Sequence, residues 1–294
     1  MKNKIHRILG QSAVEEALQY VRRTKPKLWG QKRQPKFLDR SFYLCLKKDM
    51  SGKGYGKILK KYKKYYPVTQ KSLQYNTRSI RKCLAKWATE NHLKLLDRSH
   101  WNRAAATTRF TGEFKRVNLW MDSTDFKRRG RKTTSRKGDK WSYKLNGPGR
   151  RYMVLSDANR KIRKLWGGYS PKTYDSHFLQ AKEEFLEEHL IGAVVIADNH
   201  FEWGRTNLQN VEFLVNHKVP ADDSAAADLP NVNRLTQEKI KFNDQHQHCR
   251  ARVESPFGTL AQKFKSLDSP FMEDEKQQDR LVTYAFGFHN ASIN

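Results

Sequence analysis

The second half of the chain alternates short apolar runs with helical stripes of apolar residues. Residues 117–122 form an apolar run that ends in an acid, which predicts a buried strand with a carboxylate at its tip. Residues 151–157 and 161–167 flank the sequence Ala-Asn-Arg and predict a β-hairpin. Residues 191–197 form another apolar run, directly followed by Asp198. The pattern therefore predicts two buried strands that each end at a carboxylate.

Helices and one further strand complete the predicted order. They are a helix over 175–190, a strand over 211–219, a polar loop over 222–235, and a long helix from near 235 or 242 to 267. Pro256 should kink or divide that last helix. The order strand, hairpin, helix, strand, strand, helix predicts an α/β fold of the RNase H-like type over residues 111–294, a mixed sheet with flanking helices.

The first 110 residues show a different pattern, that of a basic all-α region. In 53–66, apolar and aromatic residues recur at helical spacing between lysines, and Pro67 ends that helix. A second helix is predicted up to residue 91, with Asn76 or Thr77 as its N-cap. The two helices suggest a helix-turn-helix over about 55–91, although most helical hairpins with surface lysines bind nothing.

The distribution of charge along the chain indicates what kind of partner the protein binds. The chain has a formal net charge of +28, but residues 1–180 carry 46 Lys and Arg against 12 Asp and Glu, and the remainder 12 against 18. This excess favours nucleic acid as the partner, through its phosphates more than its bases. No apolar run approaches the roughly 20 residues that cross a bilayer, so no membrane is expected. The side chains expected to face DNA in the helix pair are Arg78, Arg81, Lys82 and Lys86.

The cysteines indicate where the protein works. Cys45, Cys83 and Cys249 are odd in number and widely spaced, so neither a disulfide framework nor a zinc pattern follows. A reducing interior is expected, the nucleus in a eukaryotic host and the cytoplasm otherwise. The basic run at 127–132 fits nuclear import and DNA binding equally well.

Three acids carry the candidate chemistry: Asp122, Asp198 and Glu254. If the first and fourth strands lie side by side, Asp122 and Asp198 emerge at the same edge of the sheet. A helix across that edge can then supply Glu254. Three oxygen ligands without His or Cys suit Mg²⁺ or Mn²⁺ better than zinc.

Other polar residues have simpler explanations. Asp125 is the rival of Asp122 and is expected past the strand, as a supporting or capping residue. Asp157 should be structural, and Asp175 should cap a helix or interact with its dipole. The spacing of His246, His248 and Cys249 is wrong for usual zinc sites, so these side chains are expected to face solvent or nucleic acid.

At these motifs the chain resembles the DDE transposases of the PIF/Harbinger type, which are related to bacterial insertion-sequence transposases. The resemblance covers roughly residues 115–290 and rests on MDSTDF, the hairpin region from WSYKLNG onward, VVIADNHF and RARVESPFG. The last motif is the most specific, with Arg250 four residues before Glu254 and Phe-Gly shortly after it. Many members follow the second acid with Gly-Tyr, whereas Asn-His-Phe follows Asp198 here.

The resemblance implies a transposase that binds transposon ends, cleaves them and joins the 3′-hydroxyl to target DNA. Asp122 would bridge two divalent metal ions, Asp198 would hold one, and Glu254 the other. Arg250 would orient Glu254 or bind a phosphate, and bringing two ends together implies a homo-oligomer on DNA. A nuclease-only descendant and a non-catalytic nucleic-acid-binding protein are the alternatives. The basic residues after the first acid that would follow the DNA backbone are Lys127, Arg128, Arg129, Arg131, Lys132, Arg136 and Lys137.

Overall fold

Six helices precede the sheet in the computed structural model, which describes residues 1–24, 26–28, 35–130, 138–218 and 235–293. A short 3₁₀ turn, Gly112–Arg116, leads from the helices into the first strand. None of the described helices is long and apolar enough to span a membrane. The helices are α1 (Lys2–Leu9), α2 (Gln11–Thr24), α3 (Pro35–Ser51), α4 (Tyr55–Tyr62), α5 (Gln70–Asn91) and α6 (Arg98–Ala105).

The predicted pair α4 and α5 exists, but its second helix begins earlier than the sequence indicated. Thr69 is the N-cap of α5, because its hydroxyl accepts a hydrogen bond from the backbone N–H of Ser72 at 3.1 Å. The prediction that Asn76 or Thr77 caps this helix is wrong: both are buried within it. The order helix, connection, helix is confirmed, whereas a helix-turn-helix in the strict sense stays a prediction.

The sheet brings together the strands that carry the candidate acids. The strand order β4-β3-β1-β5-β6 makes a mixed sheet, with β2 paired to the start of β3. β1 pairs antiparallel with β3 and parallel with β5, so the first and fourth predicted strands are neighbours as expected. The strands are β1 (Leu119–Lys127), β2 (Trp141–Ser142), β3 (Gly147–Asp157), β4 (Ile162–Tyr169), β5 (Ala193–Ile196) and β6 (Val211–Leu214).

β1 is longer than its apolar run. It pairs with β3 over all nine residues, so Asp122 lies in the middle of the strand and Asp125 lies within it too. The predictions of a carboxylate at the strand tip and of Asp125 beyond the strand are therefore wrong. The reason is that the polar second half of β1 is buried by polar partners, which a search for apolar runs does not detect.

The helices that flank the sheet differ from the prediction in two places. The helix expected over 175–190 is divided into α7 (Asp175–Gln180) and α8 (Glu183–His189). The long helix α10 (Gln237–Lys263) follows α9 (Glu202–Asn207) and continues through Pro256 as one element. α11 (Lys265–Asp268) and α12 (Glu275–Ser292) complete the chain. The polar loop predicted over 222–235 lies, except for its last residue, outside the described residues.

Three large hydrophobic clusters hold these elements together. Two of them cover the two faces of the central strands and contain Met121 and Trp120, respectively. The third joins helices α1, α2, α3 and α5 to α12, with Trp87 and Phe288 packed at 4.8 Å between ring centroids. The basic helices therefore share a core with the end of the chain, and the proposed division between residues 1–110 and 111–294 stays a prediction.

Candidate active site

Asp122 and Asp198 are placed opposite each other by the parallel pairing of β1 with β5. Leu119 pairs with Val195 and Trp120 with Ile196. This register, continued by two residues, sets Asp122 against Asp198. The backbone still follows the sheet there, since the N–H of Ala197 donates to the carbonyl of Leu214 on β6 at 3.1 Å. Adjacent strands lie about 4.8 Å apart, close enough for two carboxylates to share a cation.

Helix α10 is anchored across this edge of the sheet by polar contacts. The indole N–H of Trp120 donates to the carbonyl of Cys249 at 2.9 Å. The His246 ring nitrogen Nε2 lies 2.9 Å from the carbonyl oxygen of Ala197 and 3.2 Å from that of Leu214. The expectation that His246 and Cys249 face solvent or nucleic acid is wrong, because both are buried between helix and sheet; His248 alone is exposed.

Arg250 connects the first and third predicted acids. Its Nη1 lies 3.5 Å from Oδ2 of Asp122, and its Nη2 donates to Oε1 of Glu254 at 2.7 Å. Glu254 is one helical turn further along α10, and about half of its side chain is exposed. Asp122 and Glu254 therefore share one guanidinium group, with Asp122 inside and Glu254 at the surface.

Asp122 is a buried acid that its surroundings compensate poorly. Burial raises the pKa of Asp122 to about 6, against the lowering effects of Arg250, Lys144 and the backbone N–H of Ser123. The nearby charge of Asp198 contributes to the rise. A bound cation would strongly stabilise the ionised form of such a carboxylate, because the two charges are opposite.

The fit of a divalent metal to this site can be judged from the donors. Among the described residues, no group of three His, Cys, Asp or Glu side chains is arranged to hold a metal ion. Asp122 and Asp198 offer carboxylate oxygens at the same sheet edge, the donor type that Mg²⁺ and Mn²⁺ prefer. Glu254 is about half exposed and accepts a hydrogen bond from Arg250. The donor type of these acids therefore suits a divalent ion, whereas their arrangement is not that of a three-ligand site.

The opposite face of β1 carries a second polar cluster. Asp125 accepts hydrogen bonds from Ser142 Oγ at 2.6 Å and Arg151 Nε at 2.8 Å, which makes it a structural residue. Asp175 lies in the first turn of α7 as predicted, but Tyr174 is the N-cap. Burial raises the pKa of Asp175, whose Oδ2 accepts weakly from Ser123 Oγ at 3.4 Å. This cluster stabilises β1 from the face opposite Asp122.

Lys144 is the site residue that sequence reasoning missed. It lies in the turn between β2 and β3, and its Nζ donates to the backbone carbonyl of Ser123, next to Asp122, at 3.2 Å. Its charge acts on both Asp122 and Asp175. The sequence shows this lysine within the WSYKLNG motif, but it does not show that the lysine lies near Asp122. The pairing of β2 with β3 places it there. Asp157 is structural as predicted, accepting from the N–H groups of the hairpin turn.

The residues predicted to face DNA on α5 divide into two groups. Lys82 and Lys86 are exposed, although Lys86 lies 3.5 Å from Glu90, and half-exposed Arg78 lies near Glu273. Arg81 is fully buried and bonded to Asp49 and Glu273, so the prediction that it contacts DNA is wrong. A buried guanidinium with two acid partners is a structural element.

The basic segment after the first acid is only partly described. Lys127 closes β1, Arg129 is exposed, and Arg128 forms an ion pair with Glu275 of α12. Arg128 is therefore largely occupied within the protein, whereas Arg129 is available to a ligand. The remaining predicted DNA contacts, Arg131, Lys132, Arg136 and Lys137, lie outside the described residues.

Comparison with known families identifies the family of the chain. Residues 121–290 match the family described as DDE superfamily endonuclease, a span that begins one residue before Asp122 and includes all three acids. The match covers more than half of the chain. The chain matches no curated protein and no solved structure. Members of this family generally use divalent metals and act on DNA. The chain therefore belongs to the DDE superfamily endonucleases.

Proposed function

We propose that the protein is a DNA transposase of the PIF/Harbinger type, with an RNase H-like domain that cleaves DNA and joins the freed 3′-hydroxyl to a target. One observation carries the proposal. Asp122 lies in β1, Asp198 follows the neighbouring parallel strand β5 by two residues, and Arg250 of α10 joins Asp122 to Glu254, all within the span that matches the endonuclease family.

The family resemblance implies a role for each of the three acids. Asp122, central and buried, would contact both of two divalent ions, with Asp198 and Glu254 each holding one. Bound there, Mg²⁺ or Mn²⁺ would activate the attacking hydroxyl and neutralise the leaving oxygen. The protein supplies fixed positions for these charges, since phosphoryl transfer needs little covalent help from side chains.

Arg250 has two partners in this reaction. It holds Glu254 against the protein while bonded to it, and it is near enough to Asp122 to offset part of that charge. With a cation bound to both acids, the guanidinium group would be available to a phosphate oxygen of the DNA. Arg250 therefore acts as a positioning residue that connects metal binding with DNA binding.

DNA is the proposed partner, both as transposon end and as target. Two ends must come together for transposition, so a homo-oligomer on DNA belongs to the proposal. The place of action is the nucleus in a eukaryotic host and the cytoplasm otherwise, in line with three buried free cysteines.

The test is cleavage and strand transfer with the full chain and its transposon-end DNA in Mg²⁺ or Mn²⁺. Wild type should nick and join, and Asp122→Asn, Asp198→Asn and Glu254→Gln should each reduce cleavage by on the order of a thousandfold or more. Glu238→Gln, on the exposed first turn of α10, is the matched control and should retain activity.

The outcomes separate the alternatives. Cleavage without joining would indicate a nuclease-only protein. Wild type that binds but does not cut, or the three variants cutting as well as wild type, would refute the catalytic assignment.

A further inference from the structure

Four lysines from separate segments come together on the N-terminal helices. α1 packs on α3, where the His6 ring nitrogen Nε2 lies 2.9 Å from the Tyr43 hydroxyl. Lys47 lies one helical turn after Tyr43 on α3. Its neighbours are Lys4 of α1, Lys61 of α4 and Lys53 of the turn before α4, and partial burial together with these three charges lowers the pKa of Lys47. The four are called the lysine face below.

Helix α4 extends this positive surface outward. Its apolar side is turned into the protein, with Tyr55 and Ile58 buried. Its other side is formed by exposed lysines, and none of residues 50–89 is acidic. The further lysines on this side are Lys57 and Lys60, and Lys64 follows in the turn after the helix.

The lysine face lacks counter-charges. Within the described residues, none of Lys4, Lys47, Lys53 and Lys61 forms an ion pair. Acids of α2 and α3 are engaged elsewhere. Glu15 accepts from Gln11, Asp39 pairs with Arg22, and Asp49 pairs with Arg81.

The exposed side of α5 offers a useful contrast. Arg78 lies 3.5 Å from Asp274, and Lys86 lies 3.5 Å from Glu90, so two of its basic residues are partly neutralised by the protein itself. The lysine face keeps its charges close together without such compensation, although like charges repel in the folded state. A binding surface for a polyanion explains this arrangement better than a solvated surface does.

We propose that the lysine face, formed by Lys4, Lys47, Lys53 and Lys61, is the main duplex-DNA docking surface of the N-terminal region and contacts the phosphate backbone. This moves the expected contact from the α5 side chains to α1, α3 and α4. The inference rests on the proposed function only in taking DNA as the substrate.

The surface fits DNA better than an anionic membrane. A helix that lies on a bilayer inserts an apolar side between the lipids. The apolar side of α4 is instead buried in the protein core around Tyr66 and Leu73. Lysines without an apolar insertion side suit a ligand whose charges lie on its outside, as the phosphates of a duplex do.

The test compares two fourfold lysine-to-glutamine variants of the full chain. The first is Lys4→Gln, Lys47→Gln, Lys53→Gln and Lys61→Gln. The matched control removes four exposed lysines elsewhere on the described surface: Lys115→Gln, Lys239→Gln, Lys241→Gln and Lys276→Gln. Binding to a short DNA duplex is measured by fluorescence anisotropy in EDTA over a series of salt concentrations, so that no cleavage is required.

The lysine-face variant should bind DNA about ten- to a hundredfold more weakly at moderate salt, with a log–log salt slope smaller by about 3 to 4. The control variant should show a clearly smaller loss. Both should keep the wild-type circular dichroism spectrum and melting temperature, which excludes misfolding as the cause.

Three results would overturn the proposal. They are equal losses in both variants, unchanged binding by the lysine-face variant, and a stronger effect of its substitutions on vesicles containing phosphatidylserine than on DNA. The proposed catalysis can fail independently, because the binding measurement in EDTA requires no cleavage and the lysine-face variant leaves the three acids in place.

Discussion

Two clusters in this molecule use the same residue types with opposite results. In one, Asp49 accepts from Arg81 Nε at 2.9 Å and from the Tyr284 hydroxyl at 2.5 Å, and both members of the Asp49–Arg81 pair are fully buried. In the other, Asp122 is nearly as buried but has a guanidinium only at 3.5 Å. Each cluster contains an aspartate, an arginine and a glutamate. The glutamate is Glu273 in the Asp49 cluster and Glu254 in the Asp122 cluster.

The electrostatic consequences differ in sign. Burial alone would raise the pKa of Asp49, but the charges of Arg81 and Lys48 and the hydrogen bonds to it hold that pKa below its ordinary value. Burial prevails at Asp122, whose pKa rises to about 6. A buried acid whose charge is neutralised by neighbouring groups stabilises the fold. A buried acid whose charge is not neutralised is suited to bind a ligand. The comparison separates a structural carboxylate, Asp49, from the carboxylate proposed to be catalytic, Asp122.

The largest expected effect comes from breaking the structural cluster. Asp49→Asn leaves the Arg81 guanidinium buried with one acid partner fewer, which should lower the free energy of unfolding by about 3 to 5 kcal/mol. Urea unfolding followed by circular dichroism measures this change. A loss below about 1 kcal/mol would show that the cluster does not stabilise the fold.

The same substitution in the catalytic cluster should act in the opposite direction. Asp122→Asn removes a charge whose burial is unfavourable, so the metal-free variant should be more stable at neutral pH by on the order of 3 kcal/mol. Because the pKa is raised in the folded state, this advantage should fade as the pH falls from about 6 to below 4. Thermal unfolding at several pH values measures it, with exposed Asp268→Asn as the control. A destabilised Asp122→Asn would contradict the comparison.

The smallest effect concerns the anchor that holds α10 beside the catalytic cluster. Burial lowers the pKa of His246, so its contribution to stability is present above the ordinary value of 6.5 and is lost as the pH falls below it. His246→Gln should cost about 1 kcal/mol at pH 7 through weaker hydrogen bonds, and should reduce the loss of stability on acidification. Melting temperatures at pH 7 and pH 5.5 test this, with exposed His248→Gln expected to behave like wild type.

The adjacency of the two aspartates could be predicted from the sequence, because apolar runs mark buried strands and the element order restricts how they pair. The extent of β1 could not, since Ser123 and Asp125 are buried by polar partners from distant segments. The structural role of Arg81 could not be predicted from the sequence either, because its partners lie 32 and 192 residues away in the chain. Hydrophobic periodicity reports which residues face a core, but not which charges meet there.

Metal binding tests the account most directly. The full chain is titrated with Mn²⁺, and the free ion is followed by electron paramagnetic resonance in wild type, Asp122→Asn, Asp198→Asn and Glu238→Gln. Wild type and Glu238→Gln should bind Mn²⁺ alike, and the two aspartate variants should bind it at least about tenfold more weakly. Equal binding by all four proteins would contradict the claim that Asp122 and Asp198 form the metal site.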